Sequence, residues 1–157
     1  MNKKKIIIYG FGNPGRQDDG LGPAIISRLE EENIPDIKTE CNYQLNIEDA
    51  LLISEFNIAI FVDASQNCEE PFLYYGIEQA DEITFTTHSM SPQSVLALCS
   101  DLYNKNVKSF ILEIRGYEWE MAEGLSLKAQ GNLEKAYSFL KDKVAELLLN
   151  KEFFYSY

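Results

Sequence analysis

The fold is decided by a turn that reads Gly10-Phe11-Gly12-Asn13-Pro14-Gly15-Arg16-Gln17-Asp18-Asp19-Gly20-Leu21-Gly22. It follows the apolar run Ile6-Ile7-Ile8-Tyr9 and precedes apolar residues at helical spacing. This order predicts a buried strand, a glycine-rich turn and a helix, and α/β proteins commonly keep a site at such a junction. A nucleotide cradle offers glycines and backbone amides alone, whereas this turn ends in two adjacent carboxylates. We therefore expect the turn to hold a cation or to polarise water, because the carboxylates would repel phosphate.

Four further segments read as strands, and helical patterns separate most of them. The strongest is the apolar run at 58–62, which ends directly at Asp63. The other strands are predicted at 37–41, 72–77 and 110–114, with 72–77 at an edge of the sheet. Further helices are predicted at 46–54, after the N-cap signal Ser91-Pro92, and from about residue 132 to 149. This alternation implies an α/β fold with a mostly parallel, twisted sheet of about five strands and helices on both faces.

Composition limits the partners and the compartment. We expect residues 1–157 to form a single domain, with 153–157 as a tail that packs back or frays. The net charge of -11 disfavours nucleic acid and favours a cation or a basic protein partner. The three cysteines form no CxxC pair, which indicates free thiols in a reducing compartment. Because the charged start is followed by an apolar run too short for a signal peptide or a membrane span, we predict a cytoplasmic protein.

Three groups of polar residues are expected at the edge where the parallel strands end. Asp18 and Asp19 follow the first strand, Asp63 follows the strongest strand, and His88 lies just before the Ser91-Pro92 helix start. Two carboxylates and a neutral imidazole suit a borderline divalent metal such as nickel or zinc and leave coordination positions open.

Each of these residues also has a structural explanation. One of the two adjacent aspartates could be the N-cap of the first helix, Asp63 could cap a turn, and His88 could be an ordinary loop residue. We interpret four glutamates as solvated charges, although the stretch from 115 to 124 is long enough to border a cleft. These are Glu113, Glu118, Glu120 and Glu123.

The quoted turn and two further motifs resemble the hydrogenase maturation protease family. The matching segments are Gly10-Phe11-Gly12-Asn13 with Asp18-Asp19-Gly20-Leu21-Gly22, then Phe61-Val62-Asp63-Ala64, then Thr86-Thr87-His88-Ser89-Met90-Ser91-Pro92. The similarity runs from Ile6 to about Val144. It implies a three-layer, doubly wound fold of the phosphorylase/hydrolase-like kind. It also implies a metal-contacting and catalytic trio, which falls on Asp19, Asp63 and His88. Asp19 is taken over Asp18 because of its spacing to Gly20 and Gly22.

The resemblance implies an endopeptidase that removes a C-terminal peptide from the large-subunit precursor of a nickel-iron hydrogenase. The nickel would be carried by that precursor, its protein partner, and zinc or cadmium could replace it in crystals. Such a peptidase depends on the metal or recognises it, and its water would be activated by the metal or by a carboxylate. The chain lacks a G-x-S-x-G motif, and no cysteine flanks His88, so the sequence indicates no serine or cysteine nucleophile.

Two alternatives remain open from the sequence. Gly12-Asn13-Pro14-Gly15 also resembles the opening of peptidyl-tRNA hydrolases, which are esterases with a similar sheet. That family needs a histidine soon after the turn, where this chain has Gln17-Asp18-Asp19. The second alternative is a nucleotide-binding module, since Gly10, Gly12 and Gly15 fit the dinucleotide pattern and Glu40 could accept from a ribose. The proline within the turn and the two aspartates after it count against that interpretation.

Overall fold

The computed structural model describes residues 5–83 and 90–150. His88 and the predicted tail at 153–157 lie outside these ranges. The strands are Ile6–Phe11 (β1), Ile37–Asn42 (β2), Ile58–Ser65 (β3), Phe72–Ile77 (β4) and Lys108–Arg115 (β5). The helices are Leu21–Glu32 (α1), Asp49–Ile53 (α2), Pro92–Tyr103 (α3) and Leu127–Leu149 (α4), and a 3-10 turn covers Gln17–Gly20.

The five strands form one sheet in the order β2-β1-β3-β5-β4. The pairs β1–β2, β1–β3 and β3–β5 are parallel, and β4 runs antiparallel to β5 at one edge. This confirms the predicted mostly parallel sheet, including the edge position of 72–77. Because β1, β3 and β5 are parallel neighbours, their carboxyl ends meet at one side of the sheet.

Side chains of the central strand β3 point alternately to the two faces of the sheet, and a core lies on each face. On β3, Ile58, Ile60 and Val62 pack into a core shared with α1 and α4. Ala59 and Phe61 point to the opposite face, into a second core shared with α2 and α3. All five side chains are fully buried, as expected for a parallel strand covered on both faces. The sheet is therefore the middle of three layers, as predicted.

Two serines set the starts of the longer C-terminal helices. Ser91 Oγ accepts a hydrogen bond from the Ser94 amide at 3.1 Å, which confirms the predicted cap of α3. Ser126 Oγ accepts from the Ala129 amide at 3.2 Å, so α4 begins at Leu127. The prediction of a start near residue 132 was wrong because the first turn of α4 carries little apolar periodicity.

None of the helices within residues 5–83 and 90–150 has the length and apolar character needed to cross a bilayer.

Candidate active site

The glycine turn lies across the carboxyl ends of β1 and β3. Gly12 has a φ of +140°, and a Cβ there would lie 2.0 Å from the Asp19 carbonyl oxygen. A Cβ on Gly22 would lie 2.6 Å from the Phe11 carbonyl oxygen and 2.8 Å from that of Val62. Only glycine permits this backbone conformation and this close approach. The two glycines therefore bring the 3-10 turn, with Asp18 and Asp19, against the strand ends.

The backbone amides of the turn are used within the protein. The Gly12 amide donates to the Asn42 carbonyl at 3.1 Å, and the Asn13 amide donates to Asp19 Oδ2 at 2.8 Å. The Gly15 amide donates to Asn13 Oδ1 at 2.8 Å, and the Arg16 amide donates to the Asn13 carbonyl at 3.0 Å. A phosphate site needs such amides free to point at the anion. Here these four amides already have acceptors within the protein, and one of the acceptors is the carboxylate of Asp19.

Asp19 and Asp63 share one small region at this edge. The pKa of Asp63 is raised from 3.8 to about 7, and burial of its carboxyl group is the largest cause. The negative charge of Asp19 is the next cause, and that of Glu113 adds to it, while a hydrogen bond from the Ala64 backbone lowers the pKa. The charge of one carboxylate reaches another in this way at short range. The structure thus brings together two of the three predicted site residues.

Asp63 lies within β3, which extends to Ser65, and therefore does not cap a turn. Its side chain points to the same face as Ala59 and Phe61, because side chains alternate along a strand. That face is also the face covered by α3, the helix that follows the predicted position of His88.

Glu113, which the sequence indicates as a solvated charge, is a third carboxylate beside Asp63. It lies directly opposite Asp63 in the β3–β5 register and is only partly exposed. Its Oε1 accepts a hydrogen bond from the Tyr75 hydroxyl at 3.0 Å. Burial raises the pKa of Tyr75 to about 12, with further contributions from Glu113 and then Asp63. The available signal was a charged residue inside the apolar strand 110–114, but its significance depends on the register with β3.

The carboxylate of Asp18 is buried and fully hydrogen-bonded within the protein, which distinguishes it from that of Asp19. It is fully buried, and its two oxygens accept four hydrogen bonds from Tyr117, Glu118 and Ser126. Burial by itself would raise the pKa of Asp18, but these hydrogen bonds outweigh it and lower the pKa. Neither aspartate caps α1, because both lie in the 3-10 turn and the N-cap residue is Gly20. Asp18 is therefore not free to bind a ligand.

The three carboxylates have no cationic partner among residues 5–83 and 90–150. None of the ion pairs formed in this part of the chain includes Asp19, Asp63 or Glu113. Within it, no group of three or more His, Cys, Asp and Glu side chains has the arrangement of a metal site. His88, the predicted third member, lies outside the described residues. Neighbouring carboxylates of this kind favour a positively charged occupant, and the raised pKa of Asp63 records the charge of its neighbours.

The chain is similar to a known protein along nearly its whole length. It is 26% identical over 159 residues to a Methanocaldococcus jannaschii protein, covering 92% of this chain and 99% of that one. That relative's name assigns it provisionally as a hydrogenase maturation protease. No protein-family model matches the chain.

Solved structures share the fold. The hydrogenase maturation protease HycI from Thermococcus kodakarensis superposes with a TM-score of 0.70 at 20% identity, covering 89% of this chain and 92% of that chain. The hydrogenase maturating endopeptidase HybD from E. coli superposes with a TM-score of 0.72 at 17% identity, covering 90% and 93%. These comparisons confirm the resemblance found in the sequence, and they support neither the peptidyl-tRNA hydrolase nor the nucleotide-binding alternative.

Proposed function

We propose that this chain is a hydrogenase maturation endopeptidase, which removes a C-terminal peptide from the nickel-loaded large-subunit precursor of a nickel-iron hydrogenase. The observation that carries the proposal is that Asp19 and Asp63 lie together at the strand ends, with no ion-pair partner among residues 5–83 and 90–150. The proposal is also supported by the M. jannaschii relative, which matches 92% of this chain and is named as a hydrogenase maturation protease.

The nickel enters this reaction as part of the client protein. Carboxylate and imidazole groups are suitable ligands for it, so Asp19 and Asp63 would contact the metal together with His88. Among the described residues, Asp19 Oδ2 accepts from the Asn13 amide, and the Asp63 carboxyl group has one backbone hydrogen bond, from Ala64. Contact with the metal makes nickel loading the condition for cleavage.

Hydrolysis adds one water molecule across the scissile peptide bond. The water oxygen bonds to the carbonyl carbon, the carbon–nitrogen bond breaks, and the leaving nitrogen takes up a proton. A site carboxylate that the metal does not hold is suited to move that proton. The pKa of about 7 for Asp63 belongs to the metal-free protein, because a bound cation would stabilise its carboxylate form.

The test uses variants in which a site residue loses its charge or its ligand atom. Asp19→Asn, Asp63→Asn and His88→Ala should fold but should no longer shorten a nickel-loaded precursor, as followed by mass spectrometry. Asp101→Asn is the matched control, because this exposed carboxylate lies on α3 away from the strand ends. Normal trimming by Asp63→Asn and His88→Ala would refute the proposed site.

A second experiment asks where a divalent metal binds. Zinc or cadmium soaked into crystals should give its anomalous signal among Asp19, Asp63 and His88. Tight binding of NAD or ATP would instead favour the nucleotide-binding alternative, which the internal use of the turn's amides makes unfavourable.

A further inference from the structure

Residues 117–126, called here the 117–126 segment, have no helix or strand and follow β5 after Gly116. Asp18 ties both ends of this segment to the glycine turn. Its Oδ2 accepts from the Tyr117 amide at 2.7 Å and from the Glu118 amide at 3.0 Å. Ser126 donates its amide to Oδ1 and its hydroxyl to Oδ2, each at 2.8 Å. One buried side chain thus closes the segment into a loop.

The two residues before Asp18 hold the middle of the segment. The Gln17 amide donates to the Ala122 carbonyl at 2.8 Å, and Gln17 Oε1 accepts from the Glu120 amide at 2.8 Å. Arg16 Nε donates to the Trp119 carbonyl at 3.1 Å. All these contacts on the segment, apart from the Ser126 hydroxyl, are made to its backbone. The turn therefore fixes the backbone of the segment, while the side chains at 118 and 120–123 are exposed.

The segment begins close to the candidate site. Glu113 lies level with Asp63, and the Gly116 amide donates to the Ser65 carbonyl at 2.9 Å. The segment thus leaves the sheet about 10 Å beyond Asp63, at a rise of about 3.3 Å per residue. Its central side chains are exposed, and Met121 is 77% exposed. A folded client that presents a metal to Asp19 and Asp63 would meet these side chains as well.

We propose that Asp18 is a positioning residue for client recognition, holding the 117–126 segment in the shape that contacts the hydrogenase precursor beside Asp19 and Asp63. The inference rests on the proposed function, because the occupant of the segment is the precursor itself. Asp18 acts through the segment and does not touch the client. Its role differs in this way from that of Asp19, although the two residues are adjacent in the chain.

The test measures precursor binding and cleavage separately. Binding is titrated in an Asp63→Asn background, so that nickel-loaded precursor is not consumed, and KM and kcat are measured with Asp63 present. Asp18→Asn leaves one amide oxygen in place of two carboxylate oxygens. It should speed hydrogen–deuterium exchange at the Tyr117, Glu118 and Ser126 amides. It should also raise Kd and KM about tenfold, with kcat unchanged.

Two further variants keep the test decisive. Gln17→Ala removes only the acceptor of the Glu120 amide and should raise Kd about threefold, even if Asp18→Asn does not fold. Val144→Ala, at a buried position in the C-terminal part of α4 and remote in the chain from the segment, lowers stability and should leave Kd and KM at the wild-type values.

The outcomes separate this inference from the proposed function. If the amides exchange faster in Asp18→Asn while Kd and KM stay at the values of Val144→Ala, the inference is wrong. A change confined to kcat also contradicts it, because Asp18 would then act on Asp19. A wild-type protein that binds the precursor without cleaving it contradicts the proposed function. The inference is then tested by whether Asp18→Asn and Gln17→Ala raise the Kd for the precursor. A wild-type protein that does neither overturns both.

Discussion

The raised pKa of Asp63 predicts that the native residue destabilises the metal-free protein at neutral pH. Below pH 3.8 the carboxyl group is protonated in both the folded and unfolded chains, and it contributes nothing to the pH dependence. Between pH 3.8 and about 7 only the unfolded chain ionises freely, so the free energy of unfolding falls as pH rises. Above pH 7 the loss is complete and amounts to at most about 4 kcal/mol, from about 1.4 kcal/mol per pKa unit.

Asp63→Asn removes this penalty while nearly preserving the shape of the side chain. In the presence of a chelator, urea unfolding should show the variant to be more stable than wild type by about 2 kcal/mol at pH 5 and about 4 kcal/mol at pH 8. Asp19→Asn is the matched control, because it retains Asp63 but removes the second-largest cause of its shift. Its stability loss should be complete at a lower pH than in wild type.

The pH dependence decides the matter. A stability difference between wild type and Asp63→Asn that stays constant from pH 5 to pH 8 would contradict the reasoning, because a neutral substitution acting through packing alone has no reason to titrate. A wild-type protein more stable than the variant at pH 8 would contradict it as well.

Three other substitutions test the turn, the Glu113 pair and a helix cap. Gly12→Ala should lose about 3 kcal/mol or more in urea unfolding, because its Cβ would lie 2.0 Å from a carbonyl oxygen at a φ of +140°. Gly15→Ala, whose Cβ would lie 3.2 Å from its nearest neighbour, should lose much less. Glu113→Gln should lower the pKa of Tyr75 from about 12 toward its ordinary value of 10, as followed by NMR of the labelled ring, and an unchanged midpoint would argue against the pairing. Ser91→Ala should lower the free energy of unfolding by about 1 kcal/mol in thermal melts, and Ser91→Asn should largely restore it.

The sheet could be predicted because its strands are buried on both faces. A continuous apolar run such as 58–62 has few alternatives to a central strand, and the breakers on either side define its position. The order of the strands was not predictable in the same way. It depends on which strands pair across the sheet, and the antiparallel direction of β4 follows from its pairing with β5.

The site was predictable where it depends on position along a single strand. Asp63 follows an apolar run directly and Asp19 ends the turn after the first one, so the general rule for parallel sheets placed both at one edge. The contribution of Glu113 depends on the register between β3 and β5, which a single sequence does not encode locally. The different environments of Asp18 and Asp19 likewise depend on contacts with residues about 100 positions further along the chain.

The parallel register of β3 and β5 makes the chemistry of this protein sensitive to remote packing. Asp63 and Glu113 face each other only while the two strands keep their alignment, and a slip by one residue would set Leu112 or Ile114 beside Asp63. That alignment is held by apolar side chains such as Ile60, buried in the core below. Substitutions deep in the interior should therefore alter the protonation behaviour at the rim even where the protein remains folded.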